Sequence, residues 1–322
     1  MNTIRILSCV LLMSLLMQTA ALGAKRRGLL GGLFKTRKNR KMPESHSYHR
    51  RMEQEEYARH NSTMRFMKKP MLTTLSEEKE IGQGLIAKYM HHHGVKLKSF
   101  KTHGAIWDYC NVLCSSLLPK MPQRVGRSWS VGIIASEKPL IFSAPGGYIL
   151  LSIGLLRQLE NEAELAGLLA YEMAAICRRH HLYLLYRSIV KHQNKRAFLS
   201  ILAAPQTKQT TSSKMLSNMF KQARKNQADA DRAIINGEFG HSAVYEADKL
   251  AIRALAYHGY APKGYVSAVK KLFSKGPLKK PHPSPQKRVT RILKQVKRCF
   301  PWHKELALGK ERYLNEVIEK LD

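Results

Sequence analysis

The chain has 322 residues, 44% of them hydrophobic, enough to build a core in one generous domain or two small ones. Lys and Arg number 55 against 23 Asp and Glu, a formal charge of +32, which excludes a neutral surface and favours polyanionic neighbours. Five cysteines over this length exclude a disulfide-held scaffold.

Residues 6–22 are almost wholly apolar, follow a segment whose one charged side chain is Arg5, and precede Lys25-Arg26-Arg27. This reads as a signal peptide over residues 1–24, with small-residue cleavage sites at Ala21-Leu22-Gly23 or Leu22-Gly23-Ala24. An uncleaved N-terminal anchor and a mitochondrial presequence are the competing readings. The expected location is exported, periplasmic or membrane-associated, and mitochondrial in a eukaryotic host. Residues 25–62 form a basic flexible arm, with eight Lys or Arg between Lys25 and Lys41 and no acidic residue before Glu44. Such an arm is drawn to an anionic membrane surface or to nucleic acid by charge alone.

Residues 63–322 are expected to form one domain. A helix begins near Leu75 with an acidic first turn and carries Ile81, Leu85, Ile86 and Tyr89 on one face. His91-His92-His93 at its end diverge too much to close on one metal ion, and belong at a solvent-facing helix end. A second helix spans Ile106 to Leu118, with Cys110 and Cys114 as buried small apolar groups one turn apart. Strands follow at Trp129–Ile134, Leu140–Phe142 and Tyr148–Leu151, the last two joined by a turn at Pro145-Gly146-Gly147.

The central helix starts near Asn161, a capping residue, with Glu162 and Glu164 at its positive end and Leu165, Leu168, Leu169 and Met173 as its apolar face. Residues 204–240 are a candidate mobile insertion. Helices are then expected over Ser242–Tyr257, Gly264–Phe273, Val289–Lys297 and Glu305–Leu321. No acidic residue occurs from Lys249 to Lys304, and Lys270 to Arg298 contains eleven Lys or Arg. No aromatic interleaving, zinc-finger spacing or phosphate-binding loop accompanies that charge, so nucleic acid is a partner on charge alone.

An ordered set of short motifs carries a resemblance: Pro145-Gly146-Gly147-Tyr148, Gly154-Leu155-Leu156, Asn161 to Ala166, Glu172, Arg179-His180, Glu246-Ala247-Asp248, Gly259-Tyr260, and His282-Pro283-Ser284 with Arg288. In this order and spacing they resemble the zinc metallopeptidases of the HtpX-like, Oma-like and Ste-like family. The resemblance implies an α+β fold: a mainly helical metallopeptidase-like domain with a small three-stranded sheet beside the active-site helix. It also implies a zinc ion held by two histidines of an HExxH helix and a glutamate from a later helix, with the HExxH glutamate as general base. Matched position by position, the ligands fall on Tyr171, Ala175 and Val244, the base on Glu172, and a supporting aspartate on Asp248.

Alanine and valine offer a metal nothing, and a tyrosine hydroxyl alone is a poor zinc ligand. The expected chain is therefore a degenerate member with no metal and no cofactor, Glu172 vestigial, and His180 and Asp248 in supporting roles. Tyr171 is expected to donate its hydroxyl proton to Asp248. Tyr148 and Ile149 are expected on a cleft strand whose edge pairs with a peptide. The partner is then a protein or peptide segment bound at the cell envelope. A zinc endopeptidase with an unconventional site and a basic nucleic-acid-binding protein are the alternative functions.

Overall fold

The computed structural model describes residues 75–121, 128–185, 228–273, 282–300 and 306–321, all within the unit Leu75–Asp322. The expected signal peptide, the expected basic arm and residues 204–227 of the candidate insertion lie outside the described residues. In chain order the elements are α1 (Leu75–His93), α2 (Phe100–Leu117), β1 (Ser130–Ile134), β2 (Ile141–Ala144), β3 (Tyr148–Ser152), α3 (Ile153–Gln158) and α4 (Glu162–Cys177). Then come α5 (His241–His258), α6 (Pro262–Phe273), α7 (Pro285–Cys299) and α8 (Lys310–Glu316). The architecture is α+β and mainly helical, with one small sheet, as expected.

The sheet order is β1-β3-β2, with β1 parallel and β2 antiparallel to β3. The chain therefore crosses from β1 to the far side and returns through the Pro145–Gly147 turn into the middle. Gly146 and Gly147 take φ of 85° and 96°, values that side-chain-bearing residues rarely adopt. Every residue of β3 is buried, the pattern of a strand covered on both faces. Tyr148 and Ile149 thus lie on the middle strand, paired on both sides, and offer no edge to a peptide. This corrects the expectation from sequence. The edges belong to β1, whose outer side is partly met by residues 96–98, and to β2.

α4 is the axis of the helical part. Its cap is Asn161, whose side chain accepts from Glu164 N at 3.0 Å. The next free donors, Glu162 N and Ala163 N, reach the carbonyls of Gly309 and Leu308 in the C-terminal segment. The carboxylates of this turn are paired: Glu162 takes Tyr109 Oη and Arg312, and Glu164 takes Lys271 Nζ at 2.9 Å. Of the helix's own residues, all but Tyr171 and Glu172 are buried. A helix apolar on all sides belongs inside a fold, and here one short window faces outward.

α5 and α6 pack on α4. At Gly167 an added Cβ would stand 2.7 Å from Tyr265 Cβ, and at Gly264 another would stand 2.7 Å from Ala163 Cβ. The two glycines let α4 and α6 approach nearly backbone to backbone. His91, His92 and His93 are exposed at the end of α1, and Cys110, Cys114 and Cys177 are buried. The closing residues of the candidate insertion include a helix at 228–235, where buried Asp231 pairs with Lys88 of α1. The last helix is shorter than expected: α8 ends at Glu316, and after Val317 the chain tightens into a 3-10 turn at Ile318–Lys320.

Gly167→Ala is expected to cost about 2 kcal/mol through overpacking against Tyr265. Gly84→Ala, on α1 with nothing near its Cβ, is expected to be neutral or to stabilise by up to ~1 kcal/mol. Urea denaturation of the two variants beside the parent measures the contrast.

Candidate functional site

The window on α4 places Tyr171 and Glu172 at the position where the helix faces β2, α5 and α7. Two polar clusters meet there.

The first is built around Asp248, which α5 carries buried. Arg288 from α7 donates through Nη2 to Asp248 Oδ1 at 2.6 Å and through Nε to Oδ2 at 3.2 Å. Tyr265 of α6 donates to the same Oδ1 at 2.7 Å and accepts from Arg288 Nη2 at 2.9 Å. This two-pronged fork satisfies both carboxylate oxygens, the condition under which a buried ion pair is tolerated. The guanidinium carbon also lies 4.8 Å from the centre of the Tyr171 ring, a cation–π contact. Tyr171 stacks near Tyr265, with ring centroids 6.3 Å apart.

The expected Tyr171–Asp248 hydrogen bond is absent among the described residues. Arg288 and Tyr265 take the carboxylate instead, because a forked guanidinium meets two oxygens that a single hydroxyl cannot. Tyr171 contributes its ring face. Burial, then the Asp248 and Glu172 charges, raise its hydroxyl pKa against the lowering pull of Arg288.

The second cluster joins α4 to β2 and to the segment after α4. Alternation along β2 turns Phe142 and Ser143 to opposite faces. Phe142 stacks on Tyr89 of α1 with centroids 4.1 Å apart, and Ser143 Oγ donates to Glu172 Oε2 at 2.5 Å. His181 Nε2 lies 3.2 Å from the same hydroxyl. A serine hydroxyl has one proton to give. Both contacts are satisfied when Nε2 carries the histidine proton and donates to Ser143, leaving buried Nδ1 without a partner.

Protein atoms crowded round the Glu172 carboxyl push its pKa from 4.5 up to about 7, with Ser143 and Arg288 pulling weakly downward. Burial, then the His180 charge, hold His181 near 3, below its usual 6.5, so the imidazole is neutral.

The turn after α4 fixes this geometry. Arg179 sits at φ 56°, in the left-handed region, and sends four successive side chains to three elements. Arg178 and His180 bind Glu246 of α5 at 3.1 and 2.9 Å, Arg179 binds buried Glu78 of α1 at 2.8 Å, and His181 meets Ser143. His180 therefore supports the site through Glu246 and reaches neither Glu172 nor Asp248. His282 donates from Nδ1 to the Pro283 carbonyl at 2.9 Å, and burial lowers its pKa to about 4. It holds the entry to α7.

Val244 and Ala175 are buried apolar residues on α5 and α4, where the two helices pack. A zinc ion does not fit the residues of this site. Two of the three ligand positions end in carbon. Tyr171 has a strongly protonated hydroxyl, and Asp248 is fully engaged by Arg288 and Tyr265. Among the described residues no three His, Cys, Asp or Glu side chains converge on a point that could hold a metal.

Reasoning from sequence missed Ser143 and Tyr265, gave His181 no role, and had Glu246 within a motif without a partner. Ser143 fell just past the expected end of its strand. A lone hydroxyl between Phe142 and Ala144, one step off the apolar register, was the available signal.

A sequence model of Peptidase family M48 matches residues 118–296, more than half of the chain. No curated protein matches it.

Two measurements test this electrostatic account. Arg288→Met leaves Asp248 charged and buried, an expected loss of about 3–5 kcal/mol. Arg288→Met combined with Asp248→Asn should cost less than the sum of the single changes, because the stranded charge is gone; denaturant titration of all four proteins closes the cycle. Glu172, with its raised pKa, contributes stability that is full below 4.5 and lost as pH rises through about 7. His181, with its lowered pKa, contributes stability that is full above 6.5 and lost as pH falls toward 3. The two slopes oppose each other in the mildly acidic range. Glu172→Gln removes the first, so the variant should exceed the parent in stability at pH above about 7. That advantage should shrink toward pH 4.5 in paired urea titrations.

Proposed function

Because the chain belongs to peptidase family M48, we propose that it is a non-catalytic member that holds an extended protein segment in the former substrate cleft. The observation that carries this reading is the donor set: Tyr171, Ala175 and Val244 stand where zinc ligands would be. Without a Lewis acid nothing polarises a peptide carbonyl or acidifies water, whatever Glu172 can accept.

Binding needs no metal. β2 pairs with β3 on one side, and among the described residues no strand pairs with its other side. Ser152 N donates to Leu140 O at 3.0 Å. The alternation of an antiparallel ladder then directs the backbone groups of Phe142 and Ala144 toward β3, and those of Ile141 and Ser143 outward. A peptide added there would run beside Ser143 and over the Tyr171–Glu172 window, held by main-chain hydrogen bonds. The cell envelope is the proposed setting, on the strength of the apolar residues 6–22 and the basic residues after them.

Protein purified without chelators should hold far less than one equivalent of zinc and leave unfolded casein uncut. It should still capture casein in a crosslinking assay. Ile141→Pro removes an outward N–H at the first residue of a strand, where proline is tolerated. Capture should weaken roughly tenfold, the scale of one hydrogen bond. Stoichiometric zinc, with proteolysis abolished by Glu172→Gln, would replace this reading with that of a zinc endopeptidase.

A further inference from the structure

The basic segment that the cleft leaves unused resolves into one face of α7. At about 100° per residue, Lys287, Arg291, Lys294 and Arg298 fall within a stripe of about 60°, running ~16 Å along the helix. All four are exposed, as is Lys297 beside them. The opposite face carries buried Arg288, Ile292 and Val296, which fix the helix to the domain. Among the described residues none of the five exposed cations faces a carboxylate, and the sequence from Lys249 to Lys304 has no acidic residue. Between stripe and core face, Leu293 is 48% exposed, one of three large hydrophobic residues so exposed among the described residues.

We infer that this face of α7 docks on an anionic lipid bilayer, with the cations at the headgroups and Leu293 entering the interface. Basic charge alone would suit a phosphate backbone equally well, and two observations decide between them. An exposed leucine beside lysines is the arrangement of helices that lie in a membrane interface. Single-stranded nucleic acid would instead seek an aromatic face for its bases. Among the described residues, the ring that meets the stripe, Tyr245, is already covered by the Arg291 guanidinium at 4.5 Å. The apolar residues 6–22 would bring the same chain to a membrane. This surface is independent of the cleft and does not depend on whether the cleft cuts or holds a peptide.

The test uses the full chain and vesicles of phosphatidylcholine and phosphatidylglycerol in equal parts, at one fixed ionic strength. Lys294→Gln with Arg298→Gln should weaken partitioning ~30-fold, on the scale of two basic residues at an anionic surface. The pair Lys96→Gln and Lys138→Gln, exposed elsewhere, should leave it within about twofold. Leu293→Trp should gain fluorescence quenching by brominated lipid beyond that of the native tryptophans. The inference is overturned if the stripe variant partitions as the parent does, or if the control pair weakens binding equally. Absence of added quenching overturns it too, as does a greater loss of binding to RNA than to vesicles at the same salt.

Discussion

The Arg288–Asp248 pair is the interaction on which the described domain turns. It joins α7 to α5 through the fork, α6 through the Tyr265 hydroxyl, and α4 through the Tyr171 ring. Burying two opposite charges is costly unless every lone pair and proton is met. Here three helices supply the partners, and each is thereby fixed relative to the others. The close approach of α4 and α6 at Gly167 serves the same end, because it sets the distance at which Tyr265 meets the carboxylate.

With that pair in place, loss of zinc-ligand chemistry need not loosen the fold. In a metal site the ion would tie two helices together. Here apolar packing at Ala175 and Val244 and the polar network around Asp248 hold the same helices. Glu172 survives in a second network, shared with Ser143 and His181, whose protons are balanced between a carboxyl that resists ionisation and an imidazole that resists protonation. The Ser143–Glu172–His181 network is thus close to neutral at mildly acidic pH.

Much of this was legible in the sequence. Asn161 and the two glutamates after it mark the start of α4, Gly146 and Gly147 mark the hairpin, and the motif order identifies the family. What escaped was decided at long range. Tyr171 and Asp248 looked like natural partners until Arg288, 40 residues beyond the aspartate, entered between them. β3 was expected to offer an edge because the resemblance puts Tyr148 and Ile149 on a cleft strand. Its central place depends on β1 crossing over, which no local pattern encodes. His181 lies beyond the left-handed residue at Arg179, where a projection along a continuous α4 no longer holds.

That same residue has a mechanical consequence. Four consecutive side chains anchor to α1, β2 and α5, so the corner after α4 has more ties than are needed to fix it. A structure braced in this way is statically indeterminate: when one brace fails, the rest carry its load and the geometry persists. The alignment of Glu172 with β2 should therefore outlast the loss of any single tie. Substitutions could then remove those ties one at a time while Glu172 and Ser143 stayed in register.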